Sequence, residues 1–325
     1  MSEDRAVVAV VLAAGLGKRM KSDRPKVLHE VCGLPMLTYV LEALRDAGVD
    51  DVVVVVGHAA ETVRERFAAW EPPLRWVEQT ERRGTGHAVM VTGETLRDFD
   101  GDVVVVCGDN PLLSGQSVRE AIARHRHEGA ACTVVTAEVD DPTGYGRIVR
   151  NVEGDVEAIV EERDTTDGQK RIREINSGNY VFDARGLFDA LGKIRPTNEQ
   201  GEYYLTDVVA AMRSDGQRVL SHITSDPTEV LGINSRAQLA EAGRILQARV
   251  RARLMEAGVT IIDPASTFID PRVEVGRDTV IGPFTIISGP TRIGRECLVG
   301  PFVHVRSGTE LPDGSQTGSF KEFGA

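Results

Sequence analysis

The residues best suited to chemistry follow the first apolar stretch of the chain, residues 7–13. A small-residue turn, Ala13-Ala14-Gly15-Leu16-Gly17, runs into the cations Lys18, Arg19, Lys21, Arg24 and Lys26. Small residues let backbone N–H groups approach a ligand, and the cations can neutralise phosphates. Pro25 stiffens the approach to Lys26, so that one amine can be held where phosphates would lie. The pattern predicts a nucleoside triphosphate cradle, although it matches neither the G-x-G-x-x-G nor the Walker A spacing. A structural turn with solvated cations is the alternative.

Two further clusters would complete such a site. Gly84-Thr85-Gly86, preceded by Gln79, offers free N–H groups and a hydroxyl to a base or phosphate, or forms a plain helix cap. Asp109 follows the Val103–Val106 run, and the carboxyl end of a central parallel strand faces the ligand crevice of α/β folds. Beside a triphosphate, its expected role is to bind Mg²⁺, which prefers oxygen ligands. A turn cap before Pro111 is the alternative.

Polar groups able to hydrogen-bond a sugar occur in several later segments. They lie in residues 144–147, at Glu161, and in residues 174–178, 200–207 and 232–234. Each would also fit ordinary surface polarity. His125 and His127 lie on a predicted helix at a spacing that points to different sides, so we expect a solvated face there rather than a metal site.

Composition limits the class of protein. The 325 residues carry a formal net charge of −11, which argues against a general nucleic-acid or membrane-surface binder. No apolar run approaches the roughly 20 residues needed to span a bilayer. The cysteines are scattered without a C-x-x-C pair, so we expect reduced thiols and a cytoplasmic protein.

Val-rich runs alternate with amphipathic stretches over the first two hundred or so residues. Val52–Val56 and Val103–Val106 are typical of central strands in a covered parallel sheet. The intervening helices are predicted at residues 36–47, 61–69, 86–96 and 117–128, which gives the βαβ rhythm of a Rossmann-like α/β domain. Strand-like pieces between residues 146 and 182 suggest an inserted β-rich lobe. A long helical pattern from Ser235 ends at Gly258.

Beyond residue 260 the period changes to six. The aliphatic positions are Ile269, Val275, Ile281, Ile287, Ile293, Val299, Val305 and Leu311. This spacing predicts a short left-handed parallel β-helix of hexapeptide repeats; a few antiparallel strands are the alternative. The register fails at Thr317, and Phe323 lies on the next repeat. We therefore expect an α/β domain at 1–232, a connecting helix at 233–260, and the β-helix at 261–325. Such coils leave faces to cover, so self-association is expected.

Taken in order, the motifs LAAGLGKRMKSDRPKVL, QTERRGTGHA, GDNPL, DDPTGYGRI, IVEERDTT, EINSGNYVF, NEQGEYYLTDVV and GINSR resemble one family. This is the family of bacterial bifunctional N-acetylglucosamine-1-phosphate uridylyltransferase/glucosamine-1-phosphate acetyltransferases. The resemblance implies a Mg²⁺-dependent enzyme that makes UDP-N-acetylglucosamine for cell-wall precursors from UTP and N-acetylglucosamine-1-phosphate. It also implies a homotrimer formed through the β-helix.

The resemblance assigns roles residue by residue. Arg19 and Lys26 would be catalytic and hold the phosphates, while Asp109 and Asn234 would ligate Mg²⁺. The nucleotide would be bound by Leu12, Ala13, Ala14, Gly15, Gln79, Gly84 and Thr85. The acetamido sugar would be held by Gly144, Glu161, Asn176, Tyr204 and Thr206.

The expected function has one restriction and two alternatives. The coils that carry acetyl transfer in the family do not follow residue 325, so we expect acetyl transfer to be absent. A rival of the same class would use another pair, such as glucose-1-phosphate with dTTP or UTP, or mannose-1-phosphate with GTP. A non-catalytic assembly subunit is the rival from another class, and it should have lost its metal and phosphate residues.

Overall fold

A computed structural model describes residues 5–324 of the chain, and these form two units. The sheet unit consists of residues 5–29 and 36–235, and the coil unit of residues 30–35 and 236–324. The long helix, Arg236–Glu256, belongs to the coil unit. The three-part division at residues 232 and 260 remains a proposal about how the chain is organised.

The sheet unit is built on a mostly parallel sheet with nine described strands. Seven of them lie in the order Val219–Ile223, Cys132–Glu138, Glu174–Asp183, Asp102–Cys107, Val7–Ala13, Val52–Val56 and Arg75–Glu78. Glu174–Asp183 runs antiparallel to both of its neighbours in this order. Arg147–Arg150 pairs with it and with Val156–Val160, which forms the predicted β-rich insertion.

The valine runs form central strands because both faces of the sheet are covered. Val8 and Val10 enter one apolar cluster, whereas Ala9 and Val11 enter the other, as strand alternation requires. All residues of Val52–Val56 are buried. The helices of this unit are Met36–Asp46, Ala60–Arg66, Thr85–Met90, Gly115–Glu128, Ala184–Leu191 and Asp207–Ser214. The predicted α/β class is therefore confirmed.

The helix predicted at residues 86–96 is shorter in the structure and spans Thr85–Met90. Its C-terminal end tightens, because Thr92 N–H donates to the Val89 carbonyl and Gly93 N–H to the Met90 carbonyl. The Thr92 hydroxyl also donates to the Val89 carbonyl at 2.7 Å. Residues 91–98 continue as turns, since these local hydrogen bonds replace the helical ones.

The position of His125 differs from the solvated helix face expected from the sequence. Its side chain is buried within the sheet unit, and Nδ1 lies 3.1 Å from the Thr133 hydroxyl, whereas His127 is exposed. Burial lowers the pKa of His125 to about 4. The predicted solvated face was wrong for His125, because Gly115–Glu128 packs against the strand that carries Thr133.

The coil unit has the predicted hexapeptide geometry. Its short parallel strands are Thr260–Ile261, Phe268–Ile269, Val273–Val275, Val280–Ile281, Ile286–Ile287, Thr291–Ile293, Leu298–Val299, Val303–Val305, Glu310–Leu311 and Lys321–Phe323. Ile269 pairs with Ile287, and Ile287 with Val305, so each coil stacks on the preceding one. Six of the eight periodic residues are almost fully buried, and Val275 and Leu311 pack partly buried against them.

Two elements outside the coils complete this unit. Val250 and Leu254 of the long helix share the core of the coils, and Glu30–Val31 pairs antiparallel with Leu34–Pro35.

Thr317 interrupts the aliphatic series without ending the stack. It is buried, its hydroxyl accepts from Gly300 N–H at 2.9 Å, and Val303–Val305 pairs with Lys321–Phe323.

Within residues 5–324, no helix combines the length and apolar character needed to cross a membrane.

Candidate active site

Three polar side chains meet at the carboxyl edge of the central strands. Lys26 Nζ donates to Asp109 Oδ2 and, at 2.7 Å, to Asn234 Oδ1. The Lys26 side chain is nearly buried, with 9% of its surface exposed, and that of Asp109 is 20% exposed. The ammonium group is therefore held by two oxygen atoms from distant parts of the chain.

Backbone contacts bring these three residues together. Asp109 follows the strand Asp102–Cys107, and the backbone carbonyl of Asp109 accepts from Ile233 N–H at 3.0 Å. That hydrogen bond places the next residue, Asn234, close to Asp109 and Lys26. Gly17 has φ +58°, and a Cβ on it would lie 2.9 Å from Lys26 Cβ, so only glycine lets the turn pack against this lysine.

A cavity of about 270 Å³ opens beside Lys26 and Asp109. It is lined by all seven residues expected to bind the nucleotide, Leu12, Ala13, Ala14, Gly15, Gln79, Gly84 and Thr85. Arg82 and Glu202 also line it. Arg19 is exposed on the Lys18–Met20 turn and is not among the residues that line this cavity.

The Gln79 and Gly84 side of the cavity is tightly built. Gln79 is buried, and its Nε2 donates to the Gly84 carbonyl at 3.1 Å and lies 3.0 Å from His87 Nδ1. Gly84 has φ +101°, and a Cβ there would lie 2.5 Å from the Tyr203 carbonyl oxygen. Any side chain at residue 84 would therefore push the two loops apart.

Thr85 joins the nucleotide segment to the later sugar segment. Its hydroxyl accepts from Leu205 N–H at 3.0 Å, and Gly86 N–H donates to the Tyr203 carbonyl at 2.7 Å. The hydroxyl that the sequence offers to a base is thus engaged as an acceptor by the backbone. The spacing of residues could not reveal this contact, which spans 120 positions.

The residues expected to hold the sugar also cluster. The Thr206 hydroxyl donates to Glu161 Oε1 at 3.3 Å. A Cβ on Gly146 would lie 3.5 Å from Asn176 Cβ and 3.6 Å from Glu161 Cδ, so both side chains flank that glycine. Asn176 Nδ2 donates to the Tyr180 hydroxyl at 2.7 Å. Tyr204 is buried, and its hydroxyl accepts from Gln200 Nε2 at 2.6 Å.

Gly144 is positioned by a contact that the sequence does not single out. Its N–H donates to Glu162 Oε2 at 3.1 Å, and the same oxygen accepts from Arg147 Nη2 at 2.7 Å. Arg147 is almost fully buried and also donates to the Tyr145 carbonyl. The adjacent carboxylates of Glu161 and Glu162 are equivalent in sequence, and only the fold separates their roles.

Burial shapes the electrostatics around the cluster. It raises the pKa of Glu161, opposed by the hydrogen bond from Thr206, and it raises the pKa of the Cys107 thiol to about 12. The Cys107 thiol is therefore protonated near neutral pH and is a poor nucleophile. The charged side chains that line the cavity are those of Lys26, Arg82, Asp109 and Glu202.

The donor set suits a divalent cation. Asp109 and Asn234 present oxygen atoms that already converge on one cationic group, the Lys26 ammonium. Residues 5–324 contain no group of three or more His, Cys, Asp and Glu side chains that could hold a metal ion. One carboxylate and one amide oxygen fit a divalent cation that takes its other ligands from phosphates and water.

In a mostly parallel α/β sheet, ligands bind in the crevice outside the carboxyl ends of the strands, and the glycine turn, Lys26 and Asp109 line a cavity there. The sequence profile of the family described as Nucleotidyl transferase matches residues 8–227. The chain belongs to that family.

Similarity to individual proteins extends further along the chain. The profile described as Bacterial transferase hexapeptide (six repeats) matches residues 272–307. The chain is 52% identical to "Bifunctional protein GlmU" of Streptomyces avermitilis, over 90% of this chain and 61% of that protein. It is 52% identical to the protein of the same name from Heliobacterium modesticaldum, over 87% of this chain and 61% of that protein. The corresponding values for Thermobifida fusca are 49%, 90% and 61%. The chain therefore spans about three-fifths of the length of these curated relatives.

Proposed function

We propose that the sheet unit transfers a uridylyl group from UTP to N-acetylglucosamine-1-phosphate, which yields UDP-N-acetylglucosamine and pyrophosphate. The observation that carries the proposal is the meeting of Lys26, Asp109 and Asn234 beside the 270 Å³ cavity. The identity of about 50% with proteins named GlmU supports the choice of substrates.

The proposed step needs no general base. The sugar-1-phosphate oxygen is already anionic and attacks the α-phosphorus of UTP in line. The new P–O bond forms as the bond to the β-phosphate oxygen breaks, and pyrophosphate leaves with that electron pair. Catalysis then consists of positioning and charge neutralisation.

Each residue of the site has a stated part in this step. Lys26 binds the triphosphate, and Arg19, exposed on the Lys18–Met20 turn, is the second cation proposed to hold the phosphates. Asp109 and Asn234 would hold Mg²⁺, which when bound would offset charge on the phosphate oxygens. Lys26 must exchange its contact with Asp109 for a contact with phosphate. The reason is that the Asp109 and Asn234 oxygen atoms, which Lys26 Nζ now contacts, belong to the proposed metal ligands.

We propose that the sugar is held by the cluster around Glu161. Glu161, with its raised pKa, and Asn176 offer an acceptor and a mixed donor–acceptor group for hydroxyl and acetamido atoms. Thr206 orients Glu161 through its hydrogen bond, while Gly144 and Tyr204 contribute backbone and ring surface.

A pyrophosphate-release screen tests the proposal. UTP, dTTP, GTP and CTP are each combined with N-acetylglucosamine-, glucose- and mannose-1-phosphate in the presence of Mg²⁺, Mn²⁺ or EDTA. We expect turnover with UTP and N-acetylglucosamine-1-phosphate to exceed that of every other pair, and EDTA to abolish it. A faster rate with another pair would replace the proposed substrates. Nucleotide binding without turnover would favour a non-catalytic subunit.

An assay with acetyl-coenzyme A and glucosamine-1-phosphate measures whether these 325 residues also transfer an acetyl group. A homotrimer is proposed because the coil unit exposes apolar side chains such as Phe268, Ile286 and Leu298. Light scattering at several protein concentrations measures the oligomeric mass.

A further inference from the structure

The side-chain amide nitrogen of Gln79 is engaged by two partners, which leaves the acceptor Oε1 as the group it can offer to a ligand. Its Nε2 faces two atoms, the Gly84 carbonyl oxygen at 3.1 Å and His87 Nδ1 at 3.0 Å. The carbonyl oxygen can only accept, so the amide nitrogen must face it; the reversed amide would set two oxygen atoms against each other. His87 Nδ1 must then accept as well, because the amide nitrogen only donates. The imidazole proton therefore lies on Nε2.

We infer that His87 is a positioning residue that sets the base preference of the site by locking the Gln79 amide. This inference rests on the proposed function. With both N–H groups of Gln79 engaged, Oε1 is the atom left for a ligand. Gln79 is only 5% exposed and lines the cavity together with Gly84, so an unmet contact there would be costly.

The acceptor selects among bases by chemistry. Uracil and thymine carry an N3–H donor, which pairs with Oε1. Cytosine carries a lone pair on N3, which would face Oε1 without a proton between them. A site built to hydrogen-bond an N–H group rejects an analogue that lacks it far more strongly than an apolar pocket rejects a change of size. The lock thus favours UTP over CTP and leaves the thymine 5-methyl group to other contacts.

Two variants distinguish the hydrogen bond between Gln79 Nε2 and His87 Nδ1 from simple packing of the His87 side chain. In His87→Asn, the side-chain Oδ1 can occupy the place of Nδ1 and accept from Gln79 Nε2. In His87→Leu, a side chain of similar size offers no acceptor. His87 is half-buried on the Thr85–Met90 helix, so both variants should fold, and their melting temperatures check this.

The measurement is the ratio of the Kd for CTP to the Kd for UTP, obtained by calorimetric titration with Mg²⁺. We expect His87→Leu to lower this ratio by about tenfold, the worth of roughly one hydrogen bond, and His87→Asn to retain it. An unchanged ratio in His87→Leu, or an equal fall in both variants, would overturn the inference.

An independent readout distinguishes this inference from the proposed reaction. Two-bond ¹H–¹⁵N spectra report the imidazole tautomer, and the His87 signals are assigned by their loss in His87→Asn. We expect the Nε2–H tautomer; a proton on Nδ1 would overturn the lock even if UTP is turned over. Absence of turnover with every substrate would instead overturn the proposed function, while the tautomer would still report on the Gln79 contact.

Discussion

The coil unit and the sheet unit assemble their important contacts over very different distances along the chain. In the coil unit, Ile269, Ile287 and Val305 stack because each follows the last by one coil. In the sheet unit, Lys26 meets Asp109 and Asn234 across 83 and 208 positions. The core of the first unit repeats one local rule, whereas the site of the second depends on the whole topology of the sheet.

The two units also differ in the kind of residue they bury, and we expect this to decide whether a substitution affects stability or turnover. The interior of the coil unit is mainly aliphatic, and the buried Thr317 bonds to the backbone of an adjacent coil. The sheet unit gathers partly buried charged groups at one edge. Substitutions in the coil unit should therefore act on the free energy of unfolding, and substitutions at the sheet edge on turnover.

The largest effect is expected on turnover when Lys26, which forms the long-range contacts of the sheet unit, is removed. We predict that Lys26→Ala lowers kcat by roughly 10²–10³, or about 3–4 kcal/mol, because a preorganised cation is lost from the reacting phosphates. Pyrophosphate release measures it. Lys193→Ala, which removes an exposed lysine paired with Asp215, is the matched control and should stay near wild type. Near-native turnover in Lys26→Ala would remove this lysine from the mechanism.

The next effect tests the periodic rule of the coil unit. We predict that Ile287→Ala lowers the free energy of unfolding by about 3 kcal/mol, because its buried side chain would leave a cavity between stacked coils. Ile262, an isoleucine of the same unit that is 62% exposed, is the control, and Ile262→Ala should cost less than about 1 kcal/mol. Chemical denaturation followed by circular dichroism compares the two. Equal losses would contradict the alternation of inward and outward positions.

A smaller effect is expected where a side chain positions the sugar loop. We predict that Glu162→Gln raises the KM for the sugar phosphate about tenfold, or ~1.4 kcal/mol, since Gly144 and Arg147 lose a charged acceptor. The KM for UTP should remain unchanged, because Glu162 does not line the nucleotide cavity. Glu157→Gln, on the exposed side of the adjacent strand, is the control. A parallel rise in both KM values would argue for a general structural defect.

The smallest effect concerns the surface of the coil unit. Phe302 stacks between Phe284 and Phe320, with ring centroids 4.9 Å apart in both pairs. We predict that Phe302→Leu lowers the free energy of unfolding by about 1 kcal/mol and Phe320→Leu by about half as much, because the second removes one stacked pair instead of two. Denaturant titration measures both. A larger loss in Phe320→Leu would mean that stacking is not what stabilises this ladder.

The amino-acid sequence by itself determined the regular parts of this protein. The six-residue period predicts the coils because an inward position must recur once per side of each coil. Consecutive valines predict the central strands because both faces of the sheet are covered. The same local reasoning finds the glycine turn, Lys26 and Asp109, since each lies at the end of an apolar strand or in a distinctive motif.

The tertiary structure alone decided how distant residues share partners. Sequence cannot tell that His125 is buried, that the Thr85 hydroxyl is taken by Leu205 N–H, or that Glu162 rather than Glu161 holds Gly144. It cannot tell that Gln79 and His87 lock each other. These contacts depend on which strands and loops become neighbours in the folded protein. The sequence shows which hydrogen bonds each side chain is able to form. It does not show which partner lies within reach, because that depends on the tertiary structure.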